Sequence, residues 1–117
     1  INAYREGQVT INQQVFTRSL IVAPDRVIEW VPRRFDDLRA EHFDALVALR
    51  PEVVVLGTGA RLRWPAPEHL RSLVEARIGL ESMDTGAACR TYNILMSEGR
   101  RVVAALLMIE TQVPPTD

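Results

Sequence analysis

The chain contains no lysine: all fourteen of its basic residues are arginine, and they are scattered along its 117 residues. That usage is what a coding sequence rich in G and C produces, and it points to a bacterial source. Fifteen acidic residues offset them, for a net charge of −1. No global field therefore draws the protein to nucleic acid or to an anionic membrane. A single cysteine, Cys89, excludes an internal disulfide and fits a reducing compartment, so a cytoplasmic location is expected. Two histidines and one cysteine at unrelated positions give no metal-ligand spacing. No apolar run reaches the ~18–20 residues that span a bilayer. No signal peptide is legible, although the first residue is Ile1 and not Met, which leaves a removed leader open.

Apolar content of 47% over 117 residues suits one soluble domain with one core. In the first third, Val9-Thr10-Ile11 alternates as a short edge strand. Val15–Val31 reads as a hairpin with arms Ser19–Ala23 and Val27–Val31. Pro24-Asp25 between them suits a type I turn, and Pro32 ends the second arm. This hairpin unit, about residues 9–32, is expected to form a small sheet of its own.

The remainder alternates helix and strand. Asp36–Leu49 has acids for an N-cap and a stripe of Leu38, Ala45, Leu46 and Leu49, widened by Phe43, with Pro51 as its stop. Glu52–Leu56 carries Val53-Val54-Val55-Leu56, continuous and apolar, the pattern of a strand covered on both faces. Arg61–Trp64 reads as a short extended piece closed by Pro65. Pro67–Arg77 is a second helix with Leu70, Leu73, Val74 and Ile78 buried and Gly79 past its end. Leu80–Met83 is a strand, Thr85–Glu98 a third helix, and Val102–Ile109 a final strand. Residues 111–117 read as a frayed tail. The strand–helix–strand–helix–strand unit of residues 52–109 implies parallel neighbours joined by right-handed crossovers. The expectation is a single α/β domain, with a second β layer allowed.

Two turns concentrate the candidate chemistry. Gly57-Thr58-Gly59 and Asp84-Thr85-Gly86 both follow carboxyl ends of strands expected to be parallel, where ligands of open α/β sheets sit. With Thr85 as N-cap, the amides of Gly86, Ala87 and Ala88 face outward and can hold an anion. The same residues serve equally as cap, turn and close-packing positions. Arg90 and Asn93 extend the group along one side of the helix, Arg90 as an anion partner or as a structural pair for Asp84 or Glu98. Ala88, Tyr92, Leu95 and Met96 lie on another side, with Cys89 near its edge. Cys89 lies in the first helical turn beside Arg90, where a thiolate is favoured, yet a lone cysteine there is more simply a small core residue. Trp30 and Trp64 read as core or cover residues; exposure of either implies a partner surface.

The run Ala88-Cys89-Arg90-Thr91-Tyr92-Asn93-Ile94-Leu95, with Leu56-Gly57-Thr58-Gly59 before it and Glu98-Gly99-Arg100 and Val102–Leu107 after it, resembles the domain family of mitochondrial complex I assembly factor 3 and its bacterial and archaeal relatives of unknown function. Leu20–Ala23, Pro24-Asp25 and Trp30 extend the resemblance over nearly the whole chain. It implies a three-layer β/β/α fold with a mixed central sheet, a second small sheet and helices on one face. It implies no catalytic residues and no cofactor, and it implies other proteins as partners. The expected function is a non-enzymatic protein-binding or assembly-factor-like domain. The alternatives are a small-anion-binding domain using Gly57, Thr58, Gly59, Thr85, Gly86, Arg90 and Asn93, and a Cys89-dependent redox enzyme.

Overall fold

The computed structural model describes residues 1–5 and 7–108. The strand expected over Val102–Ile109 is seen there as Val102–Leu106, while Ile109 and the tail of residues 111–117 lie outside the described residues.

Among the described residues, eight strands form two sheets. β1 (Ala3–Arg5), β2 (Gln8–Ile11) and β3 (Gln14–Phe16) make an antiparallel three-stranded sheet. β4 (Leu20–Ala23), β5 (Arg26–Glu29), β6 (Val53–Gly57), β7 (Gly79–Met83) and β8 (Val102–Leu106) make a mixed sheet in the order β5-β4-β8-β6-β7. β6 runs parallel to both β7 and β8, whereas β4 is antiparallel to β5 and β8. The α/β class, the mixed sheet and the second small sheet are as the sequence suggests.

The two-residue turn Pro24-Asp25 closes β4 onto β5 with Ala23 opposite Arg26. This hairpin does not build the small sheet. In β4, Leu20 and Val22 enter one core layer and Ile21 the other. A strand apolar on both faces needs a cover on both, and only the main sheet supplies two. The small sheet instead consists of β1–β3, of which only Val9-Thr10-Ile11 carries a legible strand pattern. Its β2–β3 turn holds Asn12 and Gln13 at φ of 50° and 72°, the backbone of a type I′ hairpin.

The helices divide between the faces of the main sheet. α1 (Ala40–Val47) and α2 (Arg71–Glu75) cover Val54, Leu56, Val103 and Ala105 through Phe43, Leu46 and Leu73. α3 (Thr85–Ser97) shares the other face with the small sheet, packing Ala88, Cys89 and Tyr92 with Val9, Val55 and Ala104. Helices confined to one face are therefore not what is found. The chain steps outward from β6 to β7, then returns past β6 to β8. Two right-handed crossovers in opposite directions require helices on opposite faces.

Local chemistry also shortens two expected helices. Over residues 36–49 the chain makes a 3-10 turn at Phe35–Asp37, then extended backbone at Leu38 and Arg39, then α1. The Asp37 carboxylate accepts from the amides of Arg33 (3.2 Å) and Arg34 (3.1 Å), so it caps the short turn and not the longer helix. His42 Nδ1 accepts from the Arg39 amide (3.0 Å) at the true start. Ala45 faces solvent, whereas Leu38, Phe43 and Leu46 of the expected stripe are buried. Residues 67–77 likewise divide into a 3-10 turn, Pro67–Leu70, and α2. That break in period turns Val74 outward, 72% exposed instead of buried. Arg77, at φ of 60°, makes the left-handed exit expected of Gly79, which already belongs to β7.

Candidate functional site

Thr85 is the hub where the carboxyl ends of β6, β7 and β8 meet. Its backbone amide donates to the carbonyl of Gly59 (2.9 Å), and the amide of Gly59 donates to Thr85 Oγ1 (2.9 Å). The same hydroxyl donates to the carbonyl of Leu107, just past β8. The amide of Leu107 in turn donates to the carbonyl of Gly57 (2.9 Å). Thr85 is fully buried, so each of these bonds satisfies a group that water cannot reach.

Thr85 is thus the first residue of α3 and not its N-cap. Asp84 is the cap, with its carboxylate accepting from the amide of Ala87 (2.9 Å). The tertiary bonds to Gly59 and Leu107 decide this, because they draw the Thr85 hydroxyl inward. The helix start is covered as well: a β carbon on Gly86 would lie 3.4 Å from the ring of Tyr4 on β1. The expected anion cradle is therefore brought together in space, but a carboxylate and an aromatic ring of the protein itself stand at it.

The other expected members lie elsewhere. Arg90 is exposed, and among the described residues it makes no ion pair with Asp84 or Glu98. Asn93 holds the start of the chain, with Nδ2 donating to the Ile1 carbonyl (2.8 Å) and Oδ1 accepting from the Ile1 amino group (3.1 Å). Cys89 is buried in the core beneath the small sheet, and burial raises its pKa to about 11 against the weaker pull of nearby positive charge. A thiol so placed is not an available nucleophile. Of the side that carries Ala88, Tyr92, Leu95 and Met96, Ala88 and Tyr92 are buried with the adjoining Cys89, while Met96 is partly exposed. Among the described residues no three His, Cys, Asp or Glu side chains stand close enough to hold a metal ion.

What projects from this end of the sheet is the loop between β6 and α2. Thr58 ties it down: its hydroxyl donates to the carbonyl of Arg61 (2.6 Å) and accepts from the amide of Arg63 (3.2 Å). The expected extended piece Arg61–Trp64 is therefore a knotted turn with no strand pairing. Arg63 anchors its far side, lying 4.1 Å over the Phe35 ring and 3.2 Å from an oxygen of Asp36. With Thr58 and Arg63 fixed, Leu62 and Trp64 point outward, 53% and 60% exposed. Trp30 differs: it is buried edge-on against Phe43, and its indole N–H donates to the carbonyl of His42 (3.3 Å). A fixed loop that presents a tryptophan and a leucine to solvent was not expected for Trp64, which read as core or cover.

Comparison with known proteins agrees with this architecture. The family model described as "Protein of unknown function (DUF498/DUF598)" matches residues 1–107. The chain belongs to this family. Bovine NADH dehydrogenase [ubiquinone] 1 alpha subcomplex assembly factor 3 is 33% identical over 92% of the chain, which spans 59% of that protein's length. The 13 kDa major membrane protein of Francisella tularensis is 28% identical over 89% of the chain and 86% of its own length. The solution structure of a Bordetella pertussis protein, a Mth938-like domain, superposes with a TM-score of 0.82 at 36% identity, covering 92% of this chain and 84% of that one. The fold is thus the Mth938-like α/β fold, and the resemblance to the assembly-factor family holds. Among the described residues no helix is long and apolar enough to cross a membrane.

Proposed function

We propose that this chain is a protein-binding domain of the assembly-factor kind, acting through contacts and not through turnover. The observation that carries the reading is the Arg61–Trp64 loop. It is held by Thr58 and by Arg63, so its geometry is set before any partner arrives. Rigid aromatic anchors of this sort lose little entropy on binding and supply most of the energy at protein interfaces. Kinship with an assembly factor supports proteins as the partners.

The test is affinity capture from the source cells with the intact chain and with the Leu62→Ser/Trp64→Ser variant. Proteins captured by the first and lost by the second are expected. A control with Val31→Ser, at a residue 80% exposed, should retain them. Equal capture by all three would contradict the reading.

A second reading has support of its own. The exposed Arg61 adjoins the exposed Leu62 and Trp64, and one relative carries the name of a membrane protein. Tryptophan with arginine suits a lipid headgroup layer. Co-flotation with anionic vesicles that depends on Trp64 would favour attachment to a membrane surface; no co-flotation would leave the protein-binding reading alone.

A further inference from the structure

The opposite end of the main sheet carries a concavity of about 340 Å³, bounded by the β4–β5 turn, the turn between α1 and β6, and the start of β8. Its volume lies near the lower end of the ~300–1,000 Å³ that small-molecule sites enclose. Three arginines line it, Arg26, Arg50 and Arg101, against one acidic residue, Asp25. This local excess of positive charge stands on a chain whose net charge is −1.

The neighbouring carboxylates are already engaged. Asp25 lies 3.4 Å from Nε of Arg26. Glu52 accepts from Nε of Arg100 (3.1 Å) and from the amide of Arg101 (3.0 Å). Among the described residues, Arg50 and Arg101 have no carboxylate within ion-pair distance. Leu49 and the buried Val103 line the same concavity and give it apolar walls, while Pro24 and Pro51 hold its two turns stiff.

We propose that this concavity is a binding site for a small amphiphilic anion, its carboxylate or phosphate head between Arg50 and Arg101 and its short apolar body against Leu49 and Val103. Guanidinium pairs suit such heads because their planar donors match two oxygens at once. The site lies a full strand length from the turns at Gly59 and Thr85, and it does not depend on the Arg61–Trp64 loop.

The experiment is an amide-resolved NMR titration of the intact chain at low ionic strength. The probes are hexanoate and hexyl phosphate, with hexanol and inorganic phosphate as tail-only and head-only controls. Saturable shifts at Leu49, Arg50, Arg101 and Val103 are expected with hexanoate, hexyl phosphate or both, with weaker response to either control. In Arg50→Gln/Arg101→Gln, at two exposed positions whose replacement leaves the core intact, binding should weaken about tenfold or more. No saturable shift with either amphiphile would overturn the proposal. So would shifts centred at Thr85, undiminished binding by the double variant, or inorganic phosphate binding as tightly as hexyl phosphate.

Discussion

A β carbon on Gly57 would stand 3.0 Å from both Cα and Oγ1 of Thr85. The end of β6 and the start of α3 approach closely enough for the Thr85 amide to reach the Gly59 carbonyl, and the Gly59 amide the Thr85 hydroxyl, only because residue 57 has no side chain. Gly57→Ala forces that contact apart. Overpacking of a buried junction costs ~1–3 kcal/mol. The expected result is a fall of that size in unfolding free energy by urea denaturation. Gly59→Ala tests a different property, since its site has open space but a φ of +103°; the loss there is backbone strain of ~1 kcal/mol or more.

Thr85→Val keeps the shape of the side chain and removes its hydroxyl. The amide of Gly59 and the carbonyl of Leu107 then lose a buried partner, at ~1–3 kcal/mol for each group left unsatisfied. Thr85→Ser retains the hydroxyl and should lose much less. If the two variants melt alike, the hub described for Thr85 is wrong.

The alkaline limb of stability follows from two buried groups. Burial raises the Cys89 thiol to about 11, and burial reinforced by Asp25 raises the Tyr92 phenol to about 12. Both groups hold their protons more tightly folded than unfolded. Their contribution is complete below the ordinary thiol and phenol values and is lost as pH rises through the folded ones. The urea midpoint should therefore fall between about pH 9 and 12, and Cys89→Ala should flatten the lower part of that fall. At pH 8 the native protein should resist thiol labelling that proceeds at once in urea.

The two tryptophans should separate by fluorescence. Trp30→Phe leaves Trp64, with red-shifted emission that acrylamide quenches readily; Trp64→Phe leaves Trp30, blue-shifted and protected. Replacing Trp64 should change stability by less than ~0.5 kcal/mol, as exposed substitutions do.

The sequence displays most strongly what depends on neighbours in the chain. Gly99 ends α3 as expected, at φ of +80°, with its amide bonded to Met96 (3.0 Å) and that of Arg100 to Leu95 (3.1 Å), the paired bonds of a Schellman close. Val53–Leu56, apolar throughout, reads correctly as a strand buried on both faces. The errors lie where a distant residue decides. Asp84 and Thr85 are both good caps, and only the bonds to Gly59 and Leu107 show which one turns inward. Ala45 and Val74 follow helical spacing from residues that are not in the same helix. β1 and β3 are three-residue strands whose pairing, more than their composition, makes them strands. Trp64 has the composition of a core residue, and its exposure comes from a knot tied by Thr58. The candidate turns were legible as neighbours in space, but the carboxylate and ring that cover them were not.

The most direct test places a photo-crosslinking amino acid at position 64 in the source cells, with position 31, which is more exposed still, as the control. A discrete protein adduct formed from position 64 and absent from position 31 is the predicted result. No adduct at position 64, or the same adducts from both positions, would contradict a protein-binding role for this loop.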